Sequence, residues 1–476
     1  MTTNPLQNND LLSFVDRRQI LTGLIGLSIA SSGVEHAWAQ AGSAPSSTGT
    51  PSILTAGDSV HAQDSALPSV RLWTYNQTFP GPLLRIRQGD TLNLRLKNEL
   101  SQPTSLHWHG IRIANVMDGV AGLTQQGLAP GETSEIAFIA RNAGTYLYRP
   151  LVPEYAAEQT ERGLAGVFIV DEAEPIYPDD VVLLLDDVAL NDEGQVRTDF
   201  GAPADIGLGG RLGNRLLING RTTPETLTRP PGQRVRIRIA NIANARVLTL
   251  RFDDLTTHVI AADGLPVDAP FPPARNSLTI APGGRVDVVI DTPAKGSSGK
   301  ILAQIGDGLP LLTLTGEGTP AKEQPGPITA LPTTDLPNAI DLAGARRIEI
   351  AISGGLDPSA LPERAKDPAR VWHLGGLAWI DAAEHPLFKV ASGTPVVLTL
   401  ENQTPFLQVL HLHGHHARQL HKLDDGWEPY WLDTIAIPAA QTVRIAFLAD
   451  NPGRWMIGST ILERLGTGLA GWFEVT

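Results

Sequence analysis

Three stretches of this chain follow one pattern, and that repetition restricts the fold more than any other feature. Pro82–Asn98, Arg229–Asn241 and Pro386–Asn402 each place alternating apolar and polar residues on both sides of a Gly-containing turn, and each ends on Asn. Period-two alternation is the signature of strands, so each stretch reads as strand, tight turn, strand in the manner of a hairpin. A second element recurs downstream of each. Ala129-Pro130-Gly131-Glu132 leads into Ile136-Ala137-Phe138-Ile139, Ala281-Pro282-Gly283-Gly284 into Val286-Asp287-Val288-Val289, and Ile437-Pro438 into Val443-Arg444-Ile445-Ala446-Phe447. Shared order and spacing imply three copies of one β-sandwich domain. Breaks are expected near Asp171 and in the Pro-rich stretch Thr319–Pro337, giving domains over 52–171, 172–318 and 339–476 with a linker over 319–338.

Composition agrees with this division. The 476 residues exceed what one core ordinarily holds, and 47 Gly and 37 Pro supply the turns that many short strands need. A formal net charge of −13 argues against nucleic acid and anionic membrane surfaces as partners. The chain has no Cys, which excludes disulfides, thiolate metal sites, iron–sulfur clusters and Cys nucleophiles together.

The first residues read as an address. Asp16-Arg17-Arg18-Gln19-Ile20-Leu21 is a twin-arginine sequence, an apolar run follows to Ala30, and Ala37-Trp38-Ala39 is a small-x-small cleavage site. The run is shorter than the roughly 20 apolar residues that span a bilayer. Residues 1–39 are therefore expected to be a signal peptide, 40–51 a polar linker, and the protein periplasmic without stable membrane insertion.

Histidine is scarce, with twelve in the chain, yet it clusters. Gln408-Val409-Leu410-His411-Leu412-His413-Gly414-His415-His416 holds four, and His107-Trp108-His109-Gly110 holds an alternating pair. Alternate residues of a strand share a face, so each His-x-His presents two imidazoles to one side. Imidazole is the commonest metal ligand. The alternation predicts that His415 follows His411 and His413 as a reserve ligand, while His416 faces away.

These stretches, with Asp118-Gly119-Val120-Ala121-Gly122-Leu123-Thr124-Gln125, Gly144-Thr145-Tyr146-Leu147-Tyr148, Arg162-Gly163-Leu164-Ala165-Gly166, Leu217-Ile218-Asn219-Gly220-Arg221, Ala262-Asp263-Gly264, Pro452-Gly453-Arg454-Trp455 and Gly471-Trp472-Phe473-Glu474-Val475, resemble the multicopper oxidase superfamily across nearly the whole chain beyond residue 40. The resemblance implies an all-β fold of three consecutive cupredoxin-like Greek-key β-sandwich domains. It also implies a type 1 copper held by two His, one Cys and often a Met, and a three-copper cluster held by four His-x-His pairs. By resemblance, His107 and His411 match type 2 copper ligands, and His109 and His413 match type 3 ligands.

The other positions of the pattern differ. Where the family's second motif reads Tyr-His-Ser-His, this chain reads Tyr148-Arg149-Pro150-Leu151. Gly458, Ser459 and Thr460 stand where the fourth motif has His-Cys-His, Arg464 and Leu469 where a His and a Met follow, and Gln408 where the third motif opens with a type 1 His. A hydroxyl does not supply the soft covalent ligation of a thiolate, so laccase-type oxygen reduction is not expected.

Two expectations follow. A copper-free or non-catalytic binding or scaffold protein of the cell envelope, with a divisome or other envelope partner, matches the cell-division proteins of the SufI/FtsP kind. The alternative is a copper-binding protein or oxidoreductase in which His107, His109, His411 and His413 hold one copper ion; one copper or none are the two cofactor states. Arg149 is expected to replace the charge of a lost metal, paired with Glu161 or Glu463. The adjacent carboxylates Asp186-Asp187 and Asp253-Asp254 suit turns or surface, His373 reads as structural, and Ser459 has no neighbouring base in sequence. His258 and His421 are unassigned.

Overall fold

The computed structural model describes residues 51–61, 69–321, 325–363, 365–422, 424 and 426–476. The expected signal peptide and, apart from Pro51, the expected linker after it lie outside the described residues. Strands dominate the described residues, and the three α-helices among them are short: Ala156–Glu161, Pro203–Gly207 and Leu462–Gly466. Among the described residues, no helix is long and apolar enough to cross a membrane.

Six sheets pair into three sandwiches, one each from strands within 52–171, 180–316 and 346–475. Each sandwich closes on its own apolar core. The first core gathers Leu94, Trp108, Phe138 and Phe168, the second Ile237, Leu250, Val288 and Leu312, and the third Ile352, Leu398, Trp455 and Phe473.

The repeated stretches do not form hairpins. In the first, Leu84–Arg87 pairs in parallel with Gly166–Asp171, while Thr91–Asn98 lies in the opposite sheet between Ser52–His61 and Thr133–Ile139. The second and third stretches divide in the same way. The glycine turn thus carries the chain across the sandwich, and Gly89, Gly232 and Gly393 sit there at φ of 88°, 73° and 83°, where a side chain would be strained. Alternation is satisfied because both strands face one core, so the sequence pattern does not distinguish a corner from a hairpin.

The terminal Asn of each stretch has a defined task. Asn98 Nδ2 donates to Gln102 O and Leu128 O, Asn241 Nδ2 to Arg246 O and Ile280 O, and Asn402 Nδ2 to Phe406 O and Ile437 O. Each Oδ1 accepts from the backbone N–H two residues on, in Leu100, Ala243 and Thr404. All three side chains are buried, so one amide satisfies groups that would otherwise be orphaned. It also ties the end of its strand to the Pro-containing element downstream, which explains why the two features recur together.

Candidate metal centre

The two histidine pairs meet between the first and third sandwiches. His107 and His109 lie on the strand His107–His109, antiparallel to Gly144–Arg149, so that His107 faces Arg149 in register. His411 lies on Gln408–Leu412, flanked by Thr434–Ile437 and Gly453–Ser459. Ring centroids are 5.4 Å apart for His107 and His411, 4.3 Å for His107 and His413, and 3.7 Å for the stacked rings of His109 and His411. Nitrogens of His107, His109 and His411 fall within 4.8 Å of one another, as do ligand atoms of His107, Asp118 and His413. All four histidines are buried.

Hydrogen-bond partners fix the tautomers. His107 Nδ1 lies 2.8 Å from Asp118 O and His411 Nδ1 lies 3.0 Å from Asp433 O. A carbonyl only accepts, so both Nδ1 atoms carry the proton and both Nε2 atoms carry a lone pair. His413 Nδ1 donates to the Asp118 carboxylate over 2.9 Å, which leaves its Nε2 in the same state. His107 Nε2 is buried without a hydrogen-bond partner. An imidazole whose far nitrogen is tied to an oxygen and whose near nitrogen is bare is the usual form of a metal ligand.

His109 is different. Arg149 Nη2 lies 3.5 Å from its Nδ1, and a guanidinium only donates. Its Nε2 then donates to Thr434 Oγ1 at 3.0 Å, whose own proton goes to Asp433 Oδ1 at 2.8 Å. Both nitrogens are engaged. Of the four histidines that the spacing brings together, three offer a lone pair and one is held by Arg149.

Asp433 was not singled out from sequence, and it is the hub of the site. Its carboxylate lies 3.4 Å from His109 Nε2, 3.3 Å from His411 Nδ1 and 3.3 Å from His416 Nε2. It accepts two hydrogen bonds from Arg285, of 2.8 and 2.5 Å, and Arg285 comes from the second sandwich. Burial works to raise the Asp433 pKa, yet the Arg285 guanidinium holds it well below the ordinary carboxylate range. Asp263 accepts the backbone N–H groups of Asp433 and Thr434, and burial beside Asp433 pushes its carboxyl up to about 7. The closing glycine of the first motif follows from this pair. Gly110 has φ of 91°, and a Cβ there would overlap the Arg285 guanidinium and the Asp433 carboxylate. Burial also holds His109, His411 and His413 below the ordinary imidazole pKa, His413 down to about 3, so these rings are neutral at pH 7. The sole sequence signal for Asp433 is its place just before the apolar strand beside His411.

Two expectations are reversed. The strand ends at Leu412 and Gly414 turns at φ of 67°, so alternation stops there. His415 packs instead against Phe447, Trp455 and Phe473 in the core of the third sandwich, and His416 is the one that faces Asp433. Arg149 pairs with neither expected carboxylate. Glu161 accepts from Ala189 N and Arg211, and Glu463 from Asn244.

The remaining positions of the pattern are filled by packed side chains. Arg464 Nη1 donates to Gln408 Oε1 at 2.6 Å and Leu407 O at 2.5 Å, Nη2 to Leu208 O at 2.6 Å, and the guanidinium lies 4.7 Å over Trp372. Ser459 Oγ donates to Ile461 O, and Leu469 is buried in the third core. Asp186 and Asp187 lie on the strand Asp180–Val188 rather than in a turn, with Asp187 buried against Arg246. Asp253 ends a strand and Asp254 turns at φ of 55°, as expected. His373 is half-buried on Trp372–Leu374, His258 lies on Thr257–Ala262, and His421 is paired with Asp424.

Multicopper oxidase family profiles match residues 59–175, 179–301 and 364–476. The chain belongs to the multicopper oxidase superfamily. Among curated relatives of this superfamily member, multicopper oxidase MmcO of Mycobacterium tuberculosis is 29% identical over 94% of each chain. Cell division protein FtsP of Sodalis glossinidius is 32% identical over half of each chain. The crystal structure of a multi-copper oxidase from Pseudomonas thermotolerans superposes with a TM-score of 0.79 at 29% identity, covering 90% of this chain and all of that one.

Proposed function

We propose that this superfamily member is an exported, non-laccase protein that holds one copper ion between its first and third domains through His107, His411 and His413. The observation that carries this reading is the hydrogen-bond pattern: three imidazoles with Nδ1 tied to oxygen, His107 Nε2 being buried without any partner. All-nitrogen ligation suits Cu(II) first on the Irving–Williams order, with Zn(II) behind it. Asp118 and Asp433 hold the rings in orientation and raise their basicity. A copper ion bound there would supply a one-electron couple and an open coordination position. The Arg464–Gln408 pair, packed beside Trp372, stands where the family's electron-accepting copper would be, which supports the absence of laccase turnover. The twin-arginine sequence supports a periplasmic location.

A second reading is a copper-free envelope binding or scaffold protein, and the FtsP likeness and the engagement of His109 by Arg149 favour it. The two separate on metal content. Residues 40–476, exported in copper-supplemented cells, should carry close to one copper per chain with a type 2 electron paramagnetic resonance signal, lost in a His107→Ala/His411→Ala variant. Copper far below one per chain, unchanged in that variant, would sink the copper reading and turn the search to envelope and septal partners.

A further inference from the structure

Seven arginines are buried among the described residues: Arg149, Arg211, Arg236, Arg238, Arg285, Arg418 and Arg464. Five have a carboxylate within ion-pairing distance. Arg464 lacks one but donates to three oxygens and stacks on Trp372. Arg149 has neither. Its Nε and Nη1 are buried without a partner, and Nη2 has only the 3.5 Å contact with His109. Burial and the nearby Arg285 charge push its pKa down to about 10, which still leaves it a cation at neutral pH. An unpaired buried charge is costly to keep, and the usual solution is a hydrogen-bonded counter-ion.

A second orphan lies near His109, across Gly283 from the ring. Thr460 Oγ1 is buried with no partner, and a Cβ placed on Gly283 would lie 2.8 Å from His109 Cε1 and 3.4 Å from the Thr460 methyl. Arg149, which touches His109 Nδ1, and Thr460, which borders the glycine packed on the same ring, thus carry buried N–H and O–H groups that meet no acceptor. We propose that Arg149, assisted by Thr460, binds a small inorganic anion, a halide or a compact oxyanion, where the three sandwiches meet. The same closeness of Gly283 to His109 leaves no room there for a bulky ligand. The anion would neutralise Arg149 whether or not a metal is present, so this inference does not rest on the copper reading.

The test uses metal-free mature protein in a low-salt buffer without coordinating anions. Sodium bromide and sodium nitrate are titrated separately while the melting temperature is followed. At an anion concentration of about 100 Kd the Tm should have risen by about 3 °C and should go on rising with the logarithm of the anion concentration, as mass action requires for a chain of this size. Arg149→Gln should abolish this logarithmic rise, and Arg149→Lys, which keeps the charge, should retain it with a later onset. Crystals grown in bromide should show an anomalous peak beside Arg149. A response to nitrate alone assigns the site to oxyanions, and one to both assigns it to small anions generally. A Tm that does not rise with the logarithm of either salt's concentration, or the same rise in Arg149→Gln, would overturn the proposal and leave water as the occupant. Copper titration of the same samples reports on the metal separately.

Discussion

Replacing Arg285 by Met should strand the Asp433 carboxylate, so its cost should not add to that of removing the carboxylate itself. Arg285 is fully buried and donates to both Asp433 oxygens, to Gly283 O and to Asp263 O. Met keeps the approximate length and apolar stem but leaves an ionised carboxylate with no cation. Breaking a buried pair from one side costs about 3–5 kcal/mol, and for a chain of this length that lowers Tm by about 3–5 °C. Asp433→Asn leaves the guanidinium with its carbonyl acceptors and should cost about 2–3 kcal/mol. The double variant Arg285→Met/Asp433→Asn removes both charges, so it should fall short of the summed single effects by about 2 kcal/mol. Differential scanning calorimetry of the four proteins at pH 7 gives the comparison. If copper binds, each single variant should also weaken it by about 10- to 100-fold through misorientation of His411. Strict additivity of the three melting shifts, or an Arg285→Met shift below about 1 °C, would refute the claim that this ion pair governs the junction.

Gly110→Ala places a methyl group into the same ion pair at a positive φ, and should cost about 3 kcal/mol or more by calorimetry. Asn402→Ala removes the amide donor shared by the carbonyls of Phe406, Ile437 and Pro438 and should cost about 2–4 kcal/mol, read as a fall in the urea midpoint of the third domain. Glu463 is raised from its ordinary 4.5 to about 7 by burial, which the Asn244 hydrogen bond only partly opposes. Its folded pKa lies above its unfolded one, so it contributes nothing below about pH 4.5, destabilises progressively up to pH 7, and carries the full penalty of about 3 kcal/mol above that. Glu463→Gln should therefore gain stability over the parent between pH 4.5 and 7, and a pH-independent difference in Tm would contradict the burial argument.

What was legible in the sequence was whatever repeats or alternates. Three copies of one unit and the all-β class follow from periods of two along strands and from recurrence along the chain, while the meeting of His107 and His109 with His411 and His413 was implied by the family resemblance. Pairing partners were not legible, because the corner at Gly89 and a hairpin carry the same local pattern and differ only in contacts some eighty residues away. His415 and His416 exchanged places because the strand ends at Leu412, one residue before alternation would have been safe to extend. Asp433 and Arg285 escaped notice for a related reason. Each looks like an ordinary charged residue at a strand edge, and only the docking of three domains makes them a buried pair. The isolation of Arg149 is equally non-local, since sequence shows the charge but not that Glu161 is bound to Arg211.

The Arg285–Asp433 pair sets an order of events. His107 comes from the first sandwich and His411 and His413 from the third, while Arg285 of the second holds the Asp433 that orients His411, so no single domain contains the centre and its support needs all three. An ion seated there would need the first and third docked, and it would then act as a rivet across their joint rather than as a stiffener of any one core. Its binding energy should slow amide exchange at the interdomain contacts while leaving exchange at the centres of the three sandwiches at their unliganded rates.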